Sequence, residues 1–224
     1  SAAASALSAP ASSSSLCSPP SPPPTAPTRP IPGQIPEEGR LTTGPAWQEP
    51  LAAIADFVRN DDWPTFRHDE KRSGTSRQEV PAKVQPLWKL TLGGRLTSPV
   101  IAKDLTYVAR SDAHTLYAID HQQGTIRWSF TAGARIDSPP TIHRGRAVFG
   151  CTDGWVYCLQ ADSGQLAWKY RVAPLDRRIM AFEQLESLWP VHGSVLIKQG
   201  ALTKDTASMQ GIQNWARNNP AKVQ

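Results

Sequence analysis

The chain has 224 residues, a net charge of +5 and a pI near 9.3, and 39% of it is apolar. That apolar share lies below the roughly 45–50% of globular domains, so part of the chain is expected to stay outside any core. No apolar run reaches about 18 residues, which excludes a membrane-spanning helix, and the basic residues are dispersed rather than set in a stripe between stacking aromatics, which argues against nucleic-acid binding.

In chain order, residues 1–38 come first as a Ser/Ala/Pro-rich segment. Ser1 to Thr28 carries no charge, and ten of the first 36 residues are proline. Such a stretch has almost nothing to bury, which predicts a disordered, partly polyproline-like tail. It lacks the basic start and apolar run of a signal peptide. Cys17 follows Ser-Ser-Leu, a poor match to a lipidation site, and reads as a free tail cysteine.

Residues 39–85 read as a linker and an approach to the core. PLAAIADFVR (50–59) predicts a short helix with Leu51, Ile54, Ala55 and Val58 on one face. DDWPTFRHDEKRSG (61–74) is polar, and its Trp63 and Phe66 are expected to anchor it on the first strands.

Residues 86–202 repeat. Trp88, Trp128 and Trp168 are spaced by 40 and 40, and laying 88–127 over 128–167 without gaps gives nine identities, among them Gly93/Gly133, Arg95/Arg135, Ser98/Ser138, Pro99/Pro139, Tyr117/Tyr157 and Gly124/Gly164. Each unit parses into four β-branched and aromatic segments: 98–102, 105–110, 115–120 and 125–130, then 138–143, 146–151, 155–160 and 165–170. Asp153-Gly154 predicts a two-residue hairpin turn, across which Cys151 faces Val156 and Cys158 faces Phe149. On that register the two cysteines are buried free thiols. A period near 40 residues with four short antiparallel strands marks β-propeller blades. The third unit departs from the schedule. APLDRRIMAFEQLESLWPVHG intervenes, about 16 residues beyond the period, before SVLIKQGAL (194–202) resumes. It reads as a long inter-blade loop holding Arg177, Arg178 and Glu186 on a solvated surface, although such insertions also carry binding. Residues 203–224 are polar, with Met209, Ile212 and Trp215 at helical spacing, which predicts one weak helix.

The unit of a Ser-Pro strand, an Asp-Gly turn, a Tyr-Ala-Ile-Asp-like strand and then Gly and Trp resembles the pyrroloquinoline-quinone-like (PQQ-like) propeller repeat. That repeat occurs in quinoprotein dehydrogenases and in the propeller lipoprotein of outer-membrane assembly. DDWPTFRHDEKRSG and DRRIMAFEQLESLWPVHGSVL look more narrowly like planctomycete exported PQQ-like repeat proteins, some of them related to serine/threonine kinases or to quinoproteins. The resemblance covers about residues 39–202. It implies an all-β fold of about two complete four-stranded blades plus partial ones, and an exported protein of the periplasm or cell envelope.

The quinoprotein site transfers poorly. In those enzymes PQQ lies between a tryptophan floor and a vicinal disulfide beside calcium; here no Cys-Cys pair exists. Trp88, Trp128 and Trp168 are expected to cover the seam between blades, and Asp112 and Asp153 to serve turns. The five histidines (68, 114, 121, 143, 192) are scattered away from metal-ligand spacing, and no GxSxG, Walker loop or kinase signature is present. No catalytic, cofactor-binding or metal-binding residue is therefore assigned. The expected function is a non-catalytic binding or scaffold module of the cell envelope. One alternative is a remnant or subunit of a quinoprotein oxidoreductase using PQQ and calcium; another is a sensor region tied to a kinase. A closed PQQ-like propeller of seven or eight blades needs about 300 residues at this period. The chain is thus expected to be a fragment or truncated member, or to close its blades with other protein chains.

Overall fold

The computed structural model describes residues 35–36, 39–49, 58–59, 61–76, 78–79, 81–198 and 201–203. The tail before residue 35, nearly all of the helix expected at 50–59 and all but the first residue of the helical tail expected at 203–224 lie outside the described residues. Among those described, the structure is built from thirteen strands.

The segment read as linker begins with a strand, β1 (Leu41–Thr43). The first repeat unit forms β2 (Val100–Ala102), β3 (Leu105–Arg110), β4 (Thr115–Asp120) and β5 (Ile126–Thr131), an antiparallel meander in chain order. The second forms β6 (Thr141–His143), β7 (Arg146–Gly150), β8 (Trp155–Gln160) and β9 (Leu166–Arg171). Its sheet has a fifth member, because β1 pairs antiparallel with the outer strand β9 and gives the order β1-β9-β8-β7-β6. These are the two propeller blades the period predicts. Trp63 makes an isolated bridge with Ile101 and packs against the core, as expected of the approach segment.

Strand alternation assigns the faces. Ala147, Phe149, Tyr157 and Leu159 of blade two meet Tyr107, Ala109, Leu116 and Ala118 of blade one in the inter-blade core. The alternate residues Val148, Val156 and Cys158 face away, onto Tyr170, Val191, Val195 and Ala46. Both faces of β7 are therefore covered and every residue in it is buried. A strand covered on both faces has no polar side to show in sequence.

The hairpin of blade two differs from expectation by one residue. Cys151 N–H bonds the Trp155 carbonyl at 3.0 Å, and Thr152-Asp153-Gly154 forms a three-residue loop. Gly150 faces Val156, Phe149 faces Tyr157 and Val148 faces Cys158. The cause is local. The two-residue turn expected needs positive φ at both central residues, and in this loop only Gly154 has it, at 86°. The Asp153 carboxylate accepts the Trp155 N–H at 3.0 Å and the Tyr157 hydroxyl at 2.6 Å, which pins the loop. Cys151 and Cys158 are free and buried, in cores on opposite faces of one sheet. Burial pushes both thiols upward, Cys158 to about 12.

The insertion is more than a loop. It holds a hairpin, β10 (Arg178–Ala181) and β11 (Gln184–Ser187), before β12 (Leu196–Lys198) and β13 (Ala201–Thr203) begin a third blade.

Candidate functional site

The tryptophan seams at Trp88 and Trp128 are built the same way. The Trp88 indole N–H donates to the His121 carbonyl at 2.8 Å, and forty residues on the Trp128 indole donates to the Ala161 carbonyl at 2.9 Å. Each ring lies against a turn glycine with left-handed φ: Gly124 at 69° beneath Trp88, and Gly164 at 72° beneath Trp128. A Cβ on Gly164 would sit 2.5 Å from the Trp128 ring. Glycine is thus needed twice over, for the backbone angle and for the close approach. Trp128, on the outer strand β5, thereby locks blade one onto blade two, and Trp88, in the segment before β2, locks onto blade one in the same way.

The second feature is the inserted hairpin. It is seated on the tip of the β7–β8 hairpin. Thr152 C=O takes the Ser187 N–H of β11 at 2.8 Å, while the neighbouring carbonyls of Cys151 and Gly154 take the N–H groups of the flanking residues Val191, after the hairpin, at 3.1 Å and Val172, just past β9, at 2.9 Å. Gly154 is required here as well, since a Cβ would meet Ala173 at 2.7 Å and Ser187 Oγ at 2.9 Å. The hairpin also reaches blade one: Gln184 Oε1 lies 2.9 Å from His114 Nε2. It therefore bridges the ends of two blades.

Charge holds it down. Arg135 is buried and grips Asp137 with both arms, Nε to Oδ1 at 2.8 Å and a terminal nitrogen to Oδ2 at 3.2 Å. The same terminal nitrogen stands 3.1 Å from Glu186, which is only 3% exposed. Arg95 and His192 approach Asp137 from outside at 3.0 Å each. Burial alone would raise the Asp137 carboxyl, but hydrogen bonds from Arg135 and His192 outweigh it and hold the group below the usual carboxylate range. Glu186 is thus a buried brace and not part of a solvated loop. Arg178 is half-exposed beside Asp176, and Arg177 is exposed.

Several apolar side chains of the hairpin are exposed. Met180 is 74% exposed and Phe182 77%, with Ile179, Leu185 and Leu188 also open to solvent. Met180 and Leu185 are cross-strand partners. The turn residues Phe182 and Glu183 have φ of 51° and 62°, the left-handed pair a two-residue hairpin turn demands. Asn and Gly fill such positions at least cost; a phenylalanine there is strained, and strain of this kind gathers at functional positions. The Arg135 guanidinium lies 4.5 Å from the Phe182 ring centroid, so one face of the ring is backed by a cation and the rest is open.

Sequence reasoning assigned no site residue and marked only Glu186, Arg177 and Arg178 in this region. The available signal was the run Ile179, Met180, Phe182, Leu185 inside a segment too polar to be core. Asp112 sits in a turn, accepting from Arg110 and from the Arg95 N–H, and the Arg110 hydrogen bond holds its carboxyl low. Among the described residues no three potential metal ligands gather. Trp88 and Trp128 lie on glycine turns, and the buried cysteines occupy opposite faces of a sheet.

Stacked antiparallel four-stranded blades, each locked to the last by a tryptophan on a glycine turn, define a PQQ-like β-propeller. A family model described as "Outer membrane protein assembly factor BamB" matches residues 81–220, and the chain belongs to this family. The DNA damage-responsive serine/threonine-protein kinase RqkA of Deinococcus radiodurans is 28% identical over 129 residues, 54% of this chain and 19% of that protein. Outer membrane protein assembly factor BamB of Moranella endobia is 24% identical over 91 residues, 38% of this chain and 24% of that protein. The chain thus spans a quarter or less of the length of these relatives. The crystal structure of quinohemoprotein alcohol dehydrogenase from Comamonas testosteroni superposes with a TM-score of 0.50 and 19% identity, over 66% of this chain and 23% of that one. That likeness shows the fold.

Proposed function

We propose that this propeller region is a non-catalytic binding module of the cell envelope, which docks another protein through the hairpin β10–β11. The observation that carries the reading is an apolar, strained hairpin face, Met180, Phe182 and Leu185, held outward on a buried ionic base. Exposed apolar residues that are gathered together and rigidly backed are what protein interfaces use, and aromatic and methionine side chains are enriched in them. The resemblance to outer membrane assembly factors supports an envelope location and a protein partner.

A photo-reactive residue at position 182 in the full chain, expressed in its own cell, tests this. A discrete protein adduct that Met180→Asp abolishes supports it, and adducts indifferent to that change overturn it. Purified chain given quinone and calcium is expected to reduce no dye with alcohol or sugar substrates. A second reading, a sensor region joined to a serine/threonine kinase, is favoured by the likeness to RqkA. A kinase domain encoded in frame with these blades would select it.

A further inference from the structure

The two blades carry the same outer strand at a spacing of 40 residues, yet their edges differ. On blade two, β1 lies along β9. Arg40 C=O accepts the Arg171 N–H at 2.8 Å, Thr42 stands opposite Lys169, Gly44 N–H reaches the Ala167 carbonyl at 2.8 Å, and Ala46 N–H reaches that of Leu166 at 3.0 Å. On blade one, β5 is the end of its sheet, and among the described residues nothing pairs with its outer side. The groups equivalent to those just named belong to Ile126, Arg127, Ser129 and Thr131. Ile126 is 46% exposed where its counterpart Leu166 is partly covered, and Arg127, Ser129 and Thr131 are all exposed.

The usual protections of an open edge are weak here. Such edges are guarded by charges, prolines, bulges or cover. β5 has no proline, and Arg127 is its single charge. It has an irregularity between Ala118 and Ile119 in its pairing with β4, but β8 and β9 have the same one between Cys158 and Leu159, and β1 docks there regardless. The covered edge even carries more charge, Lys169 and Arg171, where the open one has Ser129 and Thr131.

We infer that β5 is a second binding site, separate from the hairpin, which takes an extended segment of another protein as a fifth strand. The occupant is defined by the strand that fills the equivalent edge, Leu41-Thr42-Thr43-Gly44. It is an uncharged, β-branched, hydroxyl-bearing stretch closed by glycine. Such a strand sets a threonine against Ser129, a favourable cross-strand pair. Glycine is needed at its end because a Cβ on Gly44 would meet the Leu166 carbonyl oxygen, and the backbone of Ile126 stands at the corresponding place. Main-chain hydrogen bonds supply the affinity in this mode, and alternate side chains supply the choice of partner.

The probe is a synthetic peptide with the sequence of residues 39–47, added to the full chain and followed by amide hydrogen exchange. Exchange at Ser129 and Thr131 is expected to slow at least tenfold at saturating peptide. The same peptide N-methylated at the positions of Thr42 and Gly44 is expected to give no slowing, a control that leaves the protein unaltered. Met180→Asp in the hairpin is expected to leave the protection unchanged, so this result stands or falls apart from the hairpin reading. Three results would overturn the inference: no protection at any peptide concentration, equal protection by the methylated peptide, or protection without peptide that rises with protein concentration, which would give the edge to a second copy of this chain.

Discussion

The tryptophan seam and the inserted hairpin lie on the same two blades and are held by opposite means. At the seam, Trp128 is an apolar plate on Gly164, fixed by one indole hydrogen bond and by the close approach a glycine permits. Under the hairpin, Arg135 is a buried charge fixed by two carboxylates, and the apolar residues point outward. The seam uses apolar surface to join blades. The hairpin uses charge to join them and leaves its apolar surface free. Stability is therefore expected to respond to the first region, and partner binding to the second.

Substitutions separate these roles. The largest effect is expected from Trp128→Ala, which removes a large aromatic and its hydrogen bond at the inter-blade core, at a cost of about 3–4 kcal/mol. Denaturant unfolding measures it, and an unaltered midpoint would contradict the seam. Arg135→Gln leaves Asp137 and Glu186 facing each other's charge without their cation, at about 3 kcal/mol. Its pH signature is specific. Because Asp137 sits below its ordinary value of 3.8 when folded, it contributes stability that is present above that value and lost as pH falls through the lower folded value. Unfolding of the native chain is expected to show that acid loss, and Arg135→Gln is expected to flatten it.

Gly164→Ala meets the Trp128 ring and a left-handed φ, and about 2 kcal/mol is expected. Gly193→Ala is the matched control, with φ of 78° and nothing within 4 Å of its Cβ, and about 1 kcal/mol is expected. The smallest change in stability, within about 0.5 kcal/mol, is expected for Met180→Asp and Leu185→Asp, which are exposed. Replacing Phe182-Glu183 by Asn-Gly suits the turn better and is expected to slow amide exchange within the hairpin while removing binding. A hairpin that loses order on this change would break the contrast.

The seam was legible in the sequence because it repeats: the spacing of 40 fixed Trp88, Trp128, Gly124 and Gly164 at once, and the eight blade strands fall within three residues of the segments read. The hairpin was not legible because it occurs once. Its buried Glu186 and exposed Phe182 reverse the usual assignment of acid outside and aromatic inside, and only the position of Arg135 beneath them explains why. The loop at Asp153 was read one residue short, since nothing in Cys-Thr-Asp-Gly shows that Tyr157 will hold the aspartate. The strand β1 was missed for a related reason. Three residues, Leu-Thr-Thr, carry no pattern of their own, and the edge of β9 is what makes them a strand.

Cross-linking across the two sides of the hairpin tests the central claim most directly. Photo-reactive residues placed singly at exposed positions 180 and 185, and at exposed position 89 in the segment before blade one, are compared in the full chain in its own cell. The account predicts one common protein adduct from 180 and 185 and none from 89. Adducts spread equally over all three positions, or absent from the hairpin and present at 89, would contradict it.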